Sequence, residues 1–399
     1  MRVFIAGVDG YLGWTLAQHL ARQGHVIGGA DALLRRVWVD EMGSLSAIPI
    51  ASVDERLAAF SEHFGECMRY FALDLRDHAA LSAALAEFQP DAVVHLAECP
   101  SAPYSMIDFQ HADFVQNNNV SGTLSLLFAM RDSCPEAHLV KLGTMGEYGT
   151  PNLDIPEGFF EVEYRGRRDR LPFPRQAGSW YHWSKVFDSH NVAFACQLWG
   201  LRATDVMQGV VYGTWVDEDS RLNTRLDFDE AFGTVLNRFC SQAVIGQPVM
   251  PYGLGTQRRG FLSLADSMQC LSLAIEHPAA EGEYRVFNQL REVLSVNDLA
   301  HVVRAAGEAH GLAVGIKPLD NPRVEAGSHH YCPESRHLRE LGFRPSLPID
   351  EVVRAMIGDL LPHRDRIAGH ADRLAPTVQW RKQYTTPAQT SNGLRKELS

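Results

Sequence analysis

The chain has no run of eighteen consecutive apolar residues, so nothing in it reads as a membrane-spanning helix. Its first stretch, MRVFIAGVDG, lacks the basic, apolar and small-residue succession of a secretory signal. There is no CxxC pair. The seven cysteines, at 67, 99, 134, 196, 240, 270 and 332, are scattered and odd in number, which speaks against a disulfide framework. His329, His330 and Cys332 stand close together without further ligand partners, so no metal is expected. Positive charge is short: the net charge is −11 and no basic stripe offsets it, which argues against a nucleic-acid partner. Only five lysines accompany thirty-two arginines. No internal repeat is visible. What is left is a soluble chain expected in the cytoplasm, with 399 residues, 45% of them hydrophobic, enough for one large core or two lobes.

Within it, short apolar runs alternate with helical patterns. RVFIA (2–6), HVIGGAD (25–31), MRYFALD (68–74), AVVHLA (92–97), HLVKLGT (138–144) and ATDVMQGVV (203–211) read as strands. Helical periodicity falls after Gly10 and near 78–89, 114–132 and 181–199. That rhythm predicts an α/β fold built on a doubly wound parallel sheet of Rossmann type.

The loop GVDGYLG sets Gly7, Gly10 and Gly13 in a GxxGxxG pattern between the first strand and the helix it opens. Glycines there permit a tight turn and let backbone approach a pyrophosphate at a helix N-terminus. Asp31 closes the second strand, where a carboxylate can accept from an adenosine ribose and would repel a 2′-phosphate. NAD is therefore the expected cofactor, although Arg35 and Arg36 nearby are the kind of residue that NADP sites use.

In YHWSK (181–185), Tyr181 and Lys185 are four apart and share one helical face. Taking hydride from an alcohol needs a base for the hydroxyl proton, and a neighbouring ammonium favours the phenolate of a tyrosine. Thr144, at a strand end in KLGTMGEYG, is placed to hold the same hydroxyl.

Glycine loop, strand-end Thr and YxxxK, in that order, resemble the extended short-chain dehydrogenase/reductase family. A narrower resemblance lies in GVDGYLGW, SAPYSMID, NNNVSGT, HLVKLGTMGEYGTPN, YHWSKVFDSHN, LRATDVMQGVVYG, RRGFLSLAD, VFNQ and NPRVEA, which follow one another from residue 1 to about residue 326. These are similar to the UDP-sulfoquinovose synthase family. The resemblance implies tightly held NAD and a reaction that oxidises C4 of UDP-glucose, eliminates water across C5 and C6, adds sulfite at C6 and returns the hydride to C4. It further implies that Gly7, Gly10 and Gly13, with Asp9, Tyr11 and Leu12, hold the pyrophosphate, and that Asp31, Arg35 and Arg36 meet the adenosine end. Asp74 and Leu75 would meet the adenine, and Asn119 would brace the strand near Tyr181. Thr144 and Tyr181 would contact the sugar O4, Lys185 would tune Tyr181, and Met145 and Glu147 would serve C5 and C6. Ser101, Tyr104, His182 and Gln208 would complete the sugar pocket, while Arg259 and Arg323 would clamp the nucleotide diphosphate. A homodimer through the helix carrying Tyr181 is also implied.

The pattern breaks at Cys99 and Pro100, where the family usually has Gln-Arg, at Met207, where it has Asn, and at Ala32, also Asn in the family. A cation near the proposed sulfite site is therefore missing, and an anion entering a partly desolvated pocket needs one. Two alternatives stay open: a 4-epimerase or dehydratase acting on another, larger nucleotide sugar, and a non-catalytic NAD-binding regulatory protein.

The remaining segments break the βα rhythm. Residues 151–178 read as a hairpin insertion around FFEVEYRGRRDRLPF. The cofactor domain is expected over 1–213 and 258–290, and a smaller α/β substrate lobe over 214–257 and 291–375. AVGIKPL should add a strand to that lobe, and the polar end, 376–399, reads as a tail.

Overall fold

The alternating pattern closes into one large sheet and one small one. The computed structural model describes residues 1–323 and 329–379. Its strands are β1 (Arg2–Ala6), β2 (Val26–Asp31), β3 (Met68–Ala72), β4 (Ala92–His95), β5 (His138–Thr144), β6 (Phe159–Tyr164), β7 (Arg167–Pro172), β8 (Arg202–Gln208), β9 (Val210–Tyr212), β10 (Arg258–Ser263), β11 (Tyr284–Gln289) and β12 (Glu292–Ser295). The large sheet has the order β11-β8-β5-β4-β1-β2-β3, with every pair parallel. Its central strands are apolar because helices cover both faces; β4 is buried along its whole length.

The first helices are α1 (Tyr11–Arg22), α2 (Leu34–Glu41), α3 (Val53–Phe64), α4 (His78–Phe88), α5 (Phe109–Gln116), α6 (Gly122–Ser133) and α7 (Trp180–Trp199). They are followed by α8 (Val235–Val244), α9 (Leu264–Glu276) and α10 (Val296–Ala309). Trp14 and Leu20 of α1, Phe60 of α3 and Leu271 of α9 pack on one face of the sheet. Leu81 of α4, Met130 of α6 and Val192 of α7 pack on the other. A second core gathers Phe239 of α8, Val303 of α10 and Met356 of the helix Ile349–Leu360. Between α5 and α6 the chain makes a π-helical turn, Asn117–Ser121, of the kind that re-aims side chains at functional sites.

Some expectations change here. ATDVMQGVV is two strands rather than one: β8 ends in the large sheet, and β9 joins the order β12-β10-β9 of the small sheet. Between them, a Cβ on Gly209 would lie 2.7 Å from the Gly260 carbonyl oxygen, so backbone crosses backbone there. Of the stretch 258–290, β11 enters the large sheet while β10 pairs with β9 and β12. AVGIKPL forms only isolated bridges, Val249 with Ile316 and Tyr252 with Leu319. β6 and β7 form an antiparallel hairpin turning on Arg165 (φ 51°) and Gly166 (φ 74°), both left-handed as a two-residue loop requires. The tail from residue 380 and residues 324–328 of the NPRVEA region lie outside the described residues.

Candidate active site

Strand register collects the site at one edge. Ala6 pairs with Ala30 and His95, and Thr144 pairs with Gln208, so the C-terminal ends of β1, β2, β4, β5 and β8 converge. A cavity of about 680 Å³ opens there, within the usual range for small-molecule sites.

Gly7, Gly10, Tyr11, Leu12 and Gly13 line it. Gly7 has a φ of 90°, and a Cβ there would sit 2.7 Å from the Leu96 carbonyl carbon; a Cβ on Gly13 would strike the Gly7 carbonyl oxygen. Only glycine lets α1 start this close to β1. α1 begins at Gly10 with no capping side chain and no acidic residue in its first turn, an arrangement suited to an anion.

Asp9 is not on the cavity wall. It is ion-paired to Arg36 at 2.7 Å and to the buried Arg56, whose charges outweigh burial and hold its carboxyl below the usual range. Arg36, also bonded to the Ala51 carbonyl at 3.1 Å, is thereby turned away from the cavity, contrary to the adenosine role expected of it. Arg35 does line the cavity, with its guanidinium 4.1 Å over the Phe232 ring and 2.8 Å from Asp227. Asp31 lines it too, accepting from the backbone N–H of Asp9 at 2.9 Å and of Leu33 at 2.6 Å. Burial, with Asp9 nearby, pushes its carboxyl up to about 6, leaving it mostly ionised at neutral pH. Asp74 and Leu75 also face the cavity, Asp74 accepting from Arg76 at 3.0 Å.

The N-terminus of α7 supplies the reactive face. Ser179 caps the helix, accepting from the His182 backbone N–H at 3.2 Å, and Tyr181 N–H donates to Ser105 Oγ at 3.1 Å. Tyr181, His182 and Lys185 line the cavity with Thr144 and Met145. Thr144 Oγ1 accepts from Gly146 N–H at 3.1 Å. Gly146 is needed because a Cβ there would strike the His182 imidazole. Burial, with Arg323 and Arg259, pushes His182 down to about 3, so the imidazole is neutral. Burial also pushes the Tyr181 phenol above its ordinary value, reinforced by Glu98 and Glu147. Lys185, expected to lower it, is held 2.6 Å from Glu98.

Asn119 sits in the π-helical turn, accepting from Cys99 N–H at 2.8 Å and donating to Ser184 Oγ at 2.9 Å. Ser184 Oγ in turn donates to the Tyr181 carbonyl at 2.7 Å. Gln208 lines the cavity and donates to Ser267 Oγ at 3.2 Å. Arg259 and Arg323 line it as well, joined by Arg238, which the sequence did not single out.

Besides Asp9, Arg36 and Asn119, three more expected residues lie off the wall. Glu147 is fully buried and off the wall, because the 3₁₀ turn after Thr144 folds its carboxylate back toward Arg175 (2.8 Å), Ser189 (2.9 Å) and the Thr144 N–H (3.2 Å). It belongs to a buried group with Lys141, 3.5 Å away, and Asp205. Ser101 donates to the Ala231 carbonyl and accepts from Tyr104 N–H at 3.0 Å, and Tyr104 donates to Glu41 at 2.7 Å. Both are buried behind the wall, which is formed there by Pro100, Ala102 and Pro103.

Residues 3–289 match the model of the NAD dependent epimerase/dehydratase family. The chloroplastic UDP-sulfoquinovose synthase of Spinacia oleracea is 46% identical over 97% of this chain and 80% of its own length. The UDP-sulfoquinovose synthase of Sulfolobus acidocaldarius is 45% identical over 96% of this chain and 99% of its own. Among solved structures, the UDP-glucuronic acid 4-epimerase of Bacillus cereus in complex with UDP-glucuronic acid and NAD aligns with a TM-score of 0.67 at 18% identity, covering 90% of this chain and 99% of that one. At that identity the likeness speaks for the fold. The chain belongs to the NAD dependent epimerase/dehydratase family and, within it, to the UDP-sulfoquinovose synthases.

Proposed function

We propose that this protein binds NAD and UDP-glucose in the cavity of about 680 Å³ and forms a C6-sulfonated sugar nucleotide through a transient 4-keto sugar. The observation that carries the reading is that the glycine loop, the group Thr144, Tyr181, His182 and Lys185, and the arginines 259 and 323 all line that cavity. The close Gly7 and Gly13 turn, the uncapped start of α1 and the Asp31 carboxylate fit a dinucleotide. Arg36, committed to Asp9, is not free to select a 2′-phosphate, which favours NAD over NADP.

When bound, NAD supplies the acceptor for the C4 hydride and later gives that hydride back. Tyr181 takes the C4 hydroxyl proton during oxidation and returns it during reduction. Thr144, whose Oγ1 already accepts from Gly146, has its hydroxyl hydrogen to donate to the sugar O4. A C4 ketone acidifies the C5 hydrogen, and His182 is the group on the wall that can remove it and pass a proton to the hydroxide leaving C6. Its low basicity comes partly from Arg259 and Arg323, so a diphosphate neutralising them would raise it. Sulfite then bonds C6 through sulfur and C5 regains a proton. The loop at Cys99 and Pro100 gives this wall no cation, an observation that favours a second reading, epimerisation or dehydration without sulfite.

UDP-glucose in deuterated water, with and without sulfite, followed by NMR and mass spectrometry, separates these. Sulfite-dependent gain of a sulfonate is expected, and the His182→Gln variant should lose deuterium uptake at C5. A galacto product, or loss of water without sulfonate, would replace the reading with the second one.

Trp180, Phe187, Phe194 and Leu198 of α7 are 53, 46, 60 and 54% exposed and recur along one helical face. We place a homodimer contact there: sedimentation should give twice the chain mass, and Phe194→Asp should give monomers. A monomeric wild-type chain would remove the dimer. The seven cysteines are unpaired, which fits a reducing cytoplasm.

A further inference from the structure

Glu98 lies in the loop after β4, directly before Cys99 and Pro100, and the sequence did not single it out. Its side chain and that of Lys185 are 4 and 5% exposed, and their charged atoms are 2.6 Å apart. Glu98 Oε1 is also 3.4 Å from His95 Nε2, which contacts Thr123 Oγ1 at 2.9 Å. Both members of the pair line the cavity. A buried ion pair bears a desolvation cost that its mutual attraction only partly repays, so its presence beside a proposed base calls for a reason.

The charges around Tyr181 supply one. Around it lie Glu98 and Cys99 from the loop after β4, Lys141 from β5 and Glu147 from the turn after β5, both behind the wall, and His182 and Lys185 from α7. Burial pushes the Cys99 thiol up to about 12, and His182 is neutral, so neither adds charge near pH 7. Behind Lys185, burial raises the Asp188 carboxyl well above its usual value, and His95 is held neutral by burial and the two lysines. Lys185 stays an ammonium because Glu98, 2.6 Å away, offsets its burial. Lys141, Lys185 and Arg175 are thus matched by Glu98, Glu147 and Asp205, and this group leaves no surplus positive charge to draw the proton from Tyr181.

We propose that Glu98 is a positioning residue that fixes Lys185 and balances its charge, so that Tyr181 ionises only against a positively charged nicotinamide and reverts to phenol once that ring has accepted hydride. This rests on the reading under Proposed function. Tyr181 is thereby a base in the oxidising half-reaction and an acid in the reducing one, without any change in the protein.

The test is the pH titration of Tyr181 in the full-length, NAD-loaded protein, read as tyrosinate difference absorbance with the Tyr181→Phe variant subtracted. Glu98→Gln should bring the band to lower pH by about one to three pH units, and the pH profile of turnover should move the same way. Glu98→Asp, which keeps the charge, should leave the band in place. If Glu98→Gln does not fold, adding Glu98→Gln to Lys185→Met and comparing it with Lys185→Met alone reads the same shift in a protein without the unpaired ammonium. An unmoved band, with or without a fall in melting temperature, would overturn the proposal and leave Glu98 a structural residue. Because the band needs no substrate, a shifted band without turnover of UDP-glucose would reject the functional reading while Glu98 keeps its role.

Discussion

Tyr181→Phe should lower turnover of UDP-glucose by about 10²–10⁴-fold, the usual worth of a placed acid–base group. The fold should not notice. α7 is anchored by its Ser179 cap, by Tyr181 N–H on Ser105 and by the Tyr181 carbonyl on Ser184, none of which uses the phenol. Bound NAD and the melting curve should therefore match the wild type, since the glycine loop and Asp31 are untouched. Steady-state assay, cofactor content after purification and thermal melting check this together. Normal turnover in the variant would remove Tyr181 from the chemistry and, with it, the reading of the cavity as a hydride-transfer site.

The other large effect is on stability. Lys141 is fully buried, donating to Ser189 Oγ at 2.8 Å and standing 3.3 Å from Asp205 and 3.5 Å from Glu147. Lys141→Met should cost about 3–5 kcal/mol, because it strands buried carboxylates rather than removing a balanced pair. The pH dependence gives a second signature. Burial alone would raise the Asp205 carboxyl, but Lys141, then Ser189 and Arg175, hold it below its ordinary value. In the wild type it therefore contributes stability above the unfolded pKa, and this is lost as pH falls through the folded one. Without Lys141 the folded value should rise above the unfolded one. The sign then reverses, and the variant should gain stability as pH is lowered from 7 toward 5. Denaturant midpoints at the two pH values would show it; a loss of equal size at both would mean that the lysine acts through packing alone.

Local signals carried the parts of this molecule that depend on local geometry. The β1 turn, the three glycines and Asp31 lie within one βαβ unit, and Tyr181 and Lys185 are one helical turn apart. The direction of Glu147 is not legible locally because it is set by Arg175 and Ser189, distant in sequence, which draw the carboxylate behind the wall. Ser101 and Tyr104 sit in a distinctive motif, but they brace the loop that bears Pro100 and Pro103. The Glu98 and Lys185 pair had no local mark at all. Lys141 and Asp205 did: each interrupts a strand otherwise read as buried, and a charge in such a place asks for an opposite one on the neighbouring strand. The split of ATDVMQGVV escaped periodicity because Gly209 changes which sheet the chain belongs to without changing its extended backbone.

That crossing has a consequence for recognition. Gln208, Gly209 and Val210 line the cavity, while the strands on either side of Gly209 are stitched into different sheets and its backbone is pressed against Gly260. The floor of the cleft is thus a weld rather than a hinge.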